Sequence, residues 1–155
     1  MNSGKDVHVP PLHASDPVGY PVMRVAHSRK VMKGEDKSFA QPDVAWRGAH
    51  FSVFGLFDGH GGKAAAEHCC DALVPCILDA LDAPGASIPP GEDPEDVFEA
   101  RIAQALVDAF RACDEKFLEK DVHSGATATV VVVNGRHVTA AAVGDSLATL
   151  DVGHG

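Results

Sequence analysis

Apolar residues along the chain fall into several short runs and two longer stretches with helical spacing. Residues 51–57 are aromatic and almost continuously apolar, which is typical of a strand buried on both faces. Residues 127–133 and 136–143 form two further β-rich runs around Asn134-Gly135, the dipeptide that best fits a two-residue type I′ hairpin turn. Shorter strands are predicted at residues 22–26, 37–40 and 147–151.

Two helices are predicted between these groups of strands. The first covers residues 63–81, and Pro75 inside it removes a backbone donor, which predicts a kinked or divided helix. A Pro- and Gly-rich surface loop at residues 83–94 follows. The second helix covers about residues 94–120, with Asp93 as its N-cap. Its predicted buried stripe comprises Val97, Phe98, Ile102, Ala105, Leu106, Ala109, Phe110, Cys113 and Phe117.

The order of these elements predicts the fold class. Because the strands come in hairpins rather than alternating singly with helices, an antiparallel α+β fold fits better than a doubly wound parallel sheet. Residues 1–21 show no sustained periodicity, so we expect a loose leader there and one domain over residues 22–155. The last predicted strand ends close to Gly155 with no neighbour after it, which suggests that strands are missing.

Composition limits the classes of protein to be considered. The 155 residues are 45% hydrophobic and 23% charged, enough for one ordinary core, and the net charge of −9 argues against nucleic acid and anionic lipid as partners. The chain begins without an apolar targeting segment and has no run near the ~20 residues that a membrane span needs. We therefore expect a soluble, monomeric, intracellular protein, cytoplasmic or nuclear.

Four cysteines lie within the apolar helical patterns, without Cys-x-x-Cys spacing. Free buried thiols are therefore expected, with neither a disulfide nor a zinc site. These cysteines are Cys69, Cys70, Cys76 and Cys113.

Carboxylates occur at three places where a predicted strand meets a tight turn: Glu35-Asp36, Asp58 and Asp145. Burying uncompensated carboxylates is costly, so convergence of these ends would require a cation. Carboxylate and main-chain oxygens suit Mg²⁺ or Mn²⁺, and glycine at position 59 would let its own carbonyl approach the ion. The pattern predicts a hydrated centre of two divalent cations.

Such a centre predicts hydrolysis of a phosphate ester. Two ions about 3.5–4 Å apart can activate a water for in-line attack on phosphorus. His60 follows Asp58 by two residues, and an imidazole that titrates near neutrality is able to protonate the departing alkoxide. A structural role for His60, as a residue of an ordinary glycine-rich turn, remains the alternative.

Four motifs occur in order along the chain, at residues 34–36 (Gly-Glu-Asp), 58–62 (Asp-Gly-His-Gly-Gly), 124–128 (Ser-Gly-Ala-Thr-Ala) and 143–146 (Val-Gly-Asp-Ser). Together they resemble the signature of the metal-dependent protein phosphatases of the PPM (type 2C) family. The Lys-Gly-Glu-Asp form of the first motif is most similar to plant members.

The resemblance implies a four-layer αββα sandwich of antiparallel sheets that removes phosphate from phosphoserine and phosphothreonine in proteins. It implies that Asp58 bridges two Mg²⁺ or Mn²⁺ ions and that the Gly59 carbonyl is a further ligand. Glu35 would hold one ion through water, and Asp145 would bind an additional, weaker ion. His60 would be the general acid.

Two positions depart from the family pattern: Val31 stands where many members have a phosphate-gripping arginine, and Leu147 follows Gly-Asp-Ser in place of arginine. A basic cluster, Arg29, Lys30 and Lys33, could supply the positive charge that binds the substrate phosphate. The usual interpretation of such a cluster is a solvent-exposed patch without this role. The family's remaining metal-binding aspartates would lie beyond residue 155. We therefore expect a truncated domain of doubtful activity, with a catalytically inactive phosphatase-like interaction module as the alternative.

Overall fold

The computed structural model describes residues 5–6, 24–25, 34–84 and 87–153. The elements are β1 (Lys5–Asp6), β2 (Arg24–Val25), β3 (Lys37–Trp46), β4 (Ala49–Phe57), β5 (Gly59–His60), α1 (Ala64–Leu81), α2 (Pro94–Leu118), β6 (Gly125–Ala126), β7 (Ala128–Asn134) and β8 (His137–Val143). Strand β2 lies within the predicted strand at 22–26 and pairs with β1. The proposed boundary after residue 21 stays a prediction. Across the described ranges, no helix has the length and apolar character needed to cross a membrane.

The main sheet has four antiparallel strands in the order β3-β4-β7-β8. In its centre, β4 pairs with β7 in a register that places Leu56 opposite Thr129. The short ladder between β5 and β6, with Gly59 opposite Ala126, continues that register past a break at Asp58. Two helices beside antiparallel sheets confirm the predicted α+β class.

Both helices pack on one face of the main sheet because alternate residues of β4 point to that side. Phe51 of β4 stacks on Phe98 of α2 with ring centroids 4.6 Å apart. The predicted apolar stripe of α2 is buried as expected, except for Phe110, which is half-buried. Asp93 caps α2 as predicted, since its side chain accepts a 2.9 Å hydrogen bond from the Glu95 N–H.

The opposite face of the sheet is also apolar, and part of it is open to solvent. It carries Phe54 and Leu56 from β4, Val131 opposite Phe54 on β7, and Val138 on β8, which pairs with Val133 of β7. Leu56 is 45% exposed and Val138 is 49% exposed. In the described ranges, the helix pair therefore covers one side of the sheet and leaves a partly solvated apolar surface on the other.

The β7–β8 turn lies one residue later than predicted. Asn134 pairs with His137, so the two-residue loop is Gly135-Arg136, and of these two only Gly135 has a positive φ, 53°. A type I′ turn needs positive φ at both positions, so the type I′ prediction is wrong. Asn134 is kept in the strand because its buried amide donates to the main-chain oxygen of His50 and to the Glu95 carboxylate.

The turn between β3 and β4 does meet the type I′ requirement, with φ of 49° at Arg47 and 101° at Gly48. This hairpin was not predicted, because β3 bulges between Gln41 and Val44 and the bulge breaks the alternation of side chains. Strand β3 therefore extends well beyond the predicted residues 37–40.

Two further expectations are corrected by the structure. Helix α1 is not divided at Pro75, which lies on the exposed side where the main-chain oxygen left without a partner can face solvent. A kink at Pro75, the other expectation, stays a prediction. The predicted strand at residues 147–151 is absent from the described stretch 144–153. Leu147 and Leu150 are strongly exposed there, since alternating apolar residues form no strand without a neighbour to bond.

Candidate active site

At the candidate site, Gly59 lies against the main chain of Glu35. A Cβ atom placed on Gly59 would lie 2.4 Å from the Glu35 main-chain oxygen, and Gly59 is buried. Any other residue would therefore push the two segments apart. Glycine at position 59 is required because two motifs that are far apart in sequence meet here.

The Glu35 carboxylate is held by the glycine-rich turn that follows β5. Its Oε1 accepts a 2.9 Å hydrogen bond from the main-chain N–H of Gly62. The turn directs this N–H toward the carboxylate through positive φ at Gly61 (68°) and Gly62 (117°). Glu35 is therefore fixed both by its main chain and by its side chain.

Asp58 lies at the break between β4 and β5 and is exposed. Its main chain bonds twice to Thr127: the Thr127 N–H donates to the Asp58 oxygen over 2.9 Å, and the Asp58 N–H donates to Thr127 Oγ1 over 3.2 Å. Thr127 Oγ1 is also 2.7 Å from Ser146 Oγ. Thr127 therefore links the Asp58 strand end to the segment that carries Asp145.

His60 pairs with Gly125 in the ladder between β5 and β6. A Cβ atom on Gly125 would lie 2.4 Å from His60 Nε2, so the imidazole lies directly over this glycine. His60 is exposed and lines a cavity of about 290 Å³ between α1, α2 and β6. Its ring is thus positioned by the lack of a side chain on the paired strand.

The first turn of α1 is fixed by residues from outside the helix. Lys63 provides no side-chain cap, and instead Ser124 Oγ accepts a 2.8 Å hydrogen bond from the Ala65 N–H. Glu67 in the same turn contacts Lys37 at 3.0 Å and Lys63 at 3.2 Å. Hydrogen bonds from Lys37 and then Lys63 lower the pKa of Glu67.

The structure brings Glu35, Asp58 and Gly59 to one corner and connects Asp145 to it through Ser146 and Thr127. The basic cluster and Val31 lie outside the described residues. Sequence reasoning gave no individual role to Thr127 or Ser124. Only the motif at residues 124–128 pointed to these two residues. Their contacts could not be predicted, because they join segments that are far apart in the chain.

The donors at this corner fit a hard divalent cation only in part. Within the described part of the chain, no group of three or more His, Cys, Asp or Glu side chains could hold a metal ion. Asp58 and Asp145 are exposed and Glu35 is half-buried, so burial of these carboxylates does not require a cation, contrary to the expectation from sequence. The carboxylates of Glu35 and Asp58 and the main-chain oxygen of Gly59 remain as donors suited to Mg²⁺ or Mn²⁺.

Comparison with known proteins assigns the family. The family described as protein phosphatase 2C matches residues 19–152, which is most of the chain. The chain therefore belongs to the protein phosphatase 2C family.

Plant and yeast relatives agree with this assignment. The chain is 37% identical over 135 residues to "Probable protein phosphatase 2C 15" of Oryza sativa subsp. japonica, which covers 84% of the chain and 29% of the relative. A protein of the same name from Arabidopsis thaliana is 36% identical, with the same coverage. "Protein phosphatase 2C homolog 2" of Saccharomyces cerevisiae is 30% identical over 66% of the chain and 20% of the relative. The chain thus spans less than a third of the length of these relatives.

Proposed function

We propose that this chain takes part in the hydrolysis of phosphoserine and phosphothreonine in proteins, with Mg²⁺ or Mn²⁺ held at the corner formed by Glu35, Asp58 and Gly59. Family membership supports the reaction class. The observation that carries the proposal is the contact of Gly59 with the Glu35 main chain, because it joins the two predicted ligand segments.

The chain's own residues would position the ion and the substrate. A bound divalent cation supplies a water of lowered pKa and neutralises the oxygens of a phosphoryl group. Asp58 and the Gly59 carbonyl would hold the ion directly, and Glu35 would hold it through water. Thr127 fixes the Asp58 main chain by two hydrogen bonds, so the carboxylate starts from an anchored backbone. Asp145 is proposed to bind an additional, weaker ion.

His60 is proposed as the general acid that protonates the leaving oxygen. The ring is exposed and follows Gly59 directly, so a substrate at this corner can reach it. Its position over Gly125 limits the rotation of the imidazole, which favours a defined direction of proton transfer.

A second candidate function, a phosphatase-like module that binds partners without turnover, is favoured by one observation. At the corner the described residues offer the carboxylates of Glu35 and Asp58 and the main-chain oxygen of Gly59, and among the described residues no group of three or more His, Cys, Asp or Glu side chains could hold a metal ion. Such a site would bind one ion weakly and support little hydrolysis.

Metal-dependent hydrolysis tests the proposal. The 155-residue chain should hydrolyse an aryl phosphate and a phosphothreonine peptide only when Mn²⁺ or Mg²⁺ is added, and Asp58→Asn should lower the rate at least ~100-fold. Asp71→Asn, the same change at an exposed position of α1, should leave the rate unchanged. Turnover by Asp58→Asn without added metal would exclude the mechanism.

Calorimetric titration with Mn²⁺ distinguishes the two candidates. Binding that is lost in Asp58→Asn, together with no turnover of either substrate by the parent chain, would assign the interaction module. Binding with metal-dependent turnover would assign the phosphatase.

A further inference from the structure

Two cysteines line one cavity between α1 and α2. Cys69 lies in the second turn of α1 and Cys113 lies in the last third of α2. The main-chain oxygen of Cys113 is 3.1 Å from Nε2 of His68, the residue before Cys69, so the two cysteines lie at the same level of the helix pair. All four cysteines of the chain are free thiols.

The two thiols differ in exposure and in pKa. Cys69 is half-buried whereas Cys113 is buried, so an oxidant reaches Cys69 more easily. The interaction between the two thiols lowers the pKa of Cys69 and raises the pKa of Cys113. An attacking sulfur beside a second sulfur is the arrangement that thiol oxidation to a disulfide requires.

Groups around the pair hold the two helices in place. His68, adjacent to Cys69, lies 3.1 Å through Nε2 from the Cys113 main-chain oxygen and 2.8 Å through Nδ1 from Lys120 Nζ. Because a carbonyl oxygen only accepts and an ammonium only donates, we assign the imidazole proton to Nε2. The rings of His68 and Phe117 also pack against each other at a tilt of 33°, with centroids 5.4 Å apart. These contacts fix the approach of α1 to α2 beside the sulfurs.

A small molecule can reach the pair. Both cysteines line the cavity of about 290 Å³ that His60 also lines, and Cys69 is half-buried rather than buried. The cavity is large enough for molecules of the size of hydrogen peroxide.

We propose that Cys69 and Cys113 are an oxidation site at which a hydroperoxide is reduced and an intramolecular disulfide joins α1 to α2. The Cys69 thiolate attacks one peroxide oxygen, the O–O bond breaks, and a sulfenic acid and hydroxide form. The Cys113 thiol then attacks the Cys69 sulfur, the S–S bond forms, and the sulfenic oxygen leaves as water. In total, two thiols and one hydrogen peroxide give one disulfide and two waters.

The other two cysteines are less suited to this reaction. Cys76 is buried at 1% exposure, its pKa is raised by burial, and its sulfur accepts a 3.4 Å hydrogen bond from Lys116. Burial also raises the pKa of Cys70, which as the next residue in the helix points about 100° away from Cys69. They serve as matched controls.

Peptide mapping of the oxidised chain tests the proposal directly. Trypsin cleaves after Lys63, Arg101, Arg111 and Lys116, so Cys113 falls in peptide 112–116 and the other three cysteines fall in peptide 64–101. After brief treatment with hydrogen peroxide, mass spectrometry should find these two peptides joined, with the loss of two hydrogen atoms. Fragmentation should place the bond on Cys69.

Cysteine variants separate formation of the sulfenic acid from formation of the disulfide. Cys70→Ser and Cys76→Ser should retain the cross-link, whereas Cys69→Ser and Cys113→Ser should lose it. In Cys113→Ser the sulfenic acid should persist on Cys69 and react with a 1,3-diketone probe. Fragmentation of the unsubstituted chain gives the answer even where a variant fails to fold.

Three outcomes would overturn the proposal: no bond between the two peptides, a bond to Cys70 or Cys76, or a bond between peptides of two chains. Mixing isotopically labelled and unlabelled chain detects the last. None of these readouts depends on phosphatase activity, so the proposal succeeds or fails independently of the proposed function.

Discussion

Gly59 is the residue at which the candidate site is most sensitive to substitution. The Cβ atom of an alanine there would lie 2.4 Å from the Glu35 oxygen and 3.2 Å from Glu35 Cβ. Because the first of these neighbours is backbone, relief requires a shift of the whole segment rather than a rotamer change.

Gly59→Ala should lower the free energy of unfolding by about 3 kcal/mol in urea denaturation. It should also weaken Mn²⁺ binding, because Glu35 is displaced from Asp58. Gly91→Ala is the control: its φ is 89° and nothing lies within 4 Å, so only backbone strain of about 1 kcal/mol is expected, without effect on Mn²⁺. Equal losses in the two variants would disprove the role assigned to the contact.

The sequence indicated Glu35, Asp58 and Gly59 as one site because the chemistry of oxygen ligands and glycine is local to each motif. The Gly59 contact brings the first two motifs together, whereas the shared site and the metal-binding roles of these residues stay predictions. The exposure of Asp58 was not predictable, because the break between β4 and β5 depends on the partner Thr127, far along the chain.

Among the elements, α1 is tied to the β3–β4 turn by one carboxylate at its C-terminal end. Asp82 Oδ1 accepts hydrogen bonds from Trp46 Nε1 at 2.9 Å and from Arg47 Nε at 2.8 Å. The bond from Trp46, followed by the one from Arg47, lowers the pKa of Asp82 below its ordinary value of 3.8. The ionised carboxylate is therefore the form that holds the helix to the turn.

Low pH should weaken the contact between Asp82 and the β3–β4 turn. A carboxylate whose pKa is lowered by folding stabilises the fold above its unfolded pKa, and the contribution is lost as pH falls through the lower folded value. The difference in thermal midpoint between the parent chain and Asp82→Asn should be constant above about pH 5 and shrink below 3.8.

Fluorescence of Trp46, the one tryptophan of the chain, reports the same transition. Asp108→Asn removes an exposed carboxylate whose contacts, Gln104 and Arg111, lie within α2. The difference in thermal midpoint between this variant and the parent chain should not shrink at low pH. A difference for Asp82→Asn that grows toward low pH would contradict the assignment.

The prediction of an element from sequence was correct where a local pattern of residues determines it. It was wrong where contacts with residues far along the chain determine it. The apolar stripe and cap of α2 follow from its own residues and are confirmed. The Asn134-Gly135 turn was misplaced because Asn134 bonds to His50 and Glu95, neither of which is near it in sequence.

At the scale of the whole molecule, the two faces of the main sheet differ in their exposure to solvent within the described residues. One face is sealed by α1 and α2 through Phe51, Phe98 and their neighbours. The other face carries apolar residues at the positions of β4, β7 and β8 that alternate with those of the core. No local signal in the sequence separated the two faces, because both carry apolar side chains in β4 and β7.

The open face predicts that the 155-residue chain binds a hydrophobic dye such as ANS in its native state. Leu56 and Val138 lie on the same face of the sheet and are 45% and 49% exposed, which favours dye adsorption. The double variant Leu56→Gln/Val138→Thr should lower native-state dye fluorescence at least ~2-fold while changing the free energy of unfolding by less than ~1 kcal/mol. Val107→Thr alters a comparably exposed residue of α2, outside this face, and should leave the fluorescence unchanged. Dye binding that is absent from the parent chain, or equal in all three proteins, would show that the face is covered in solution.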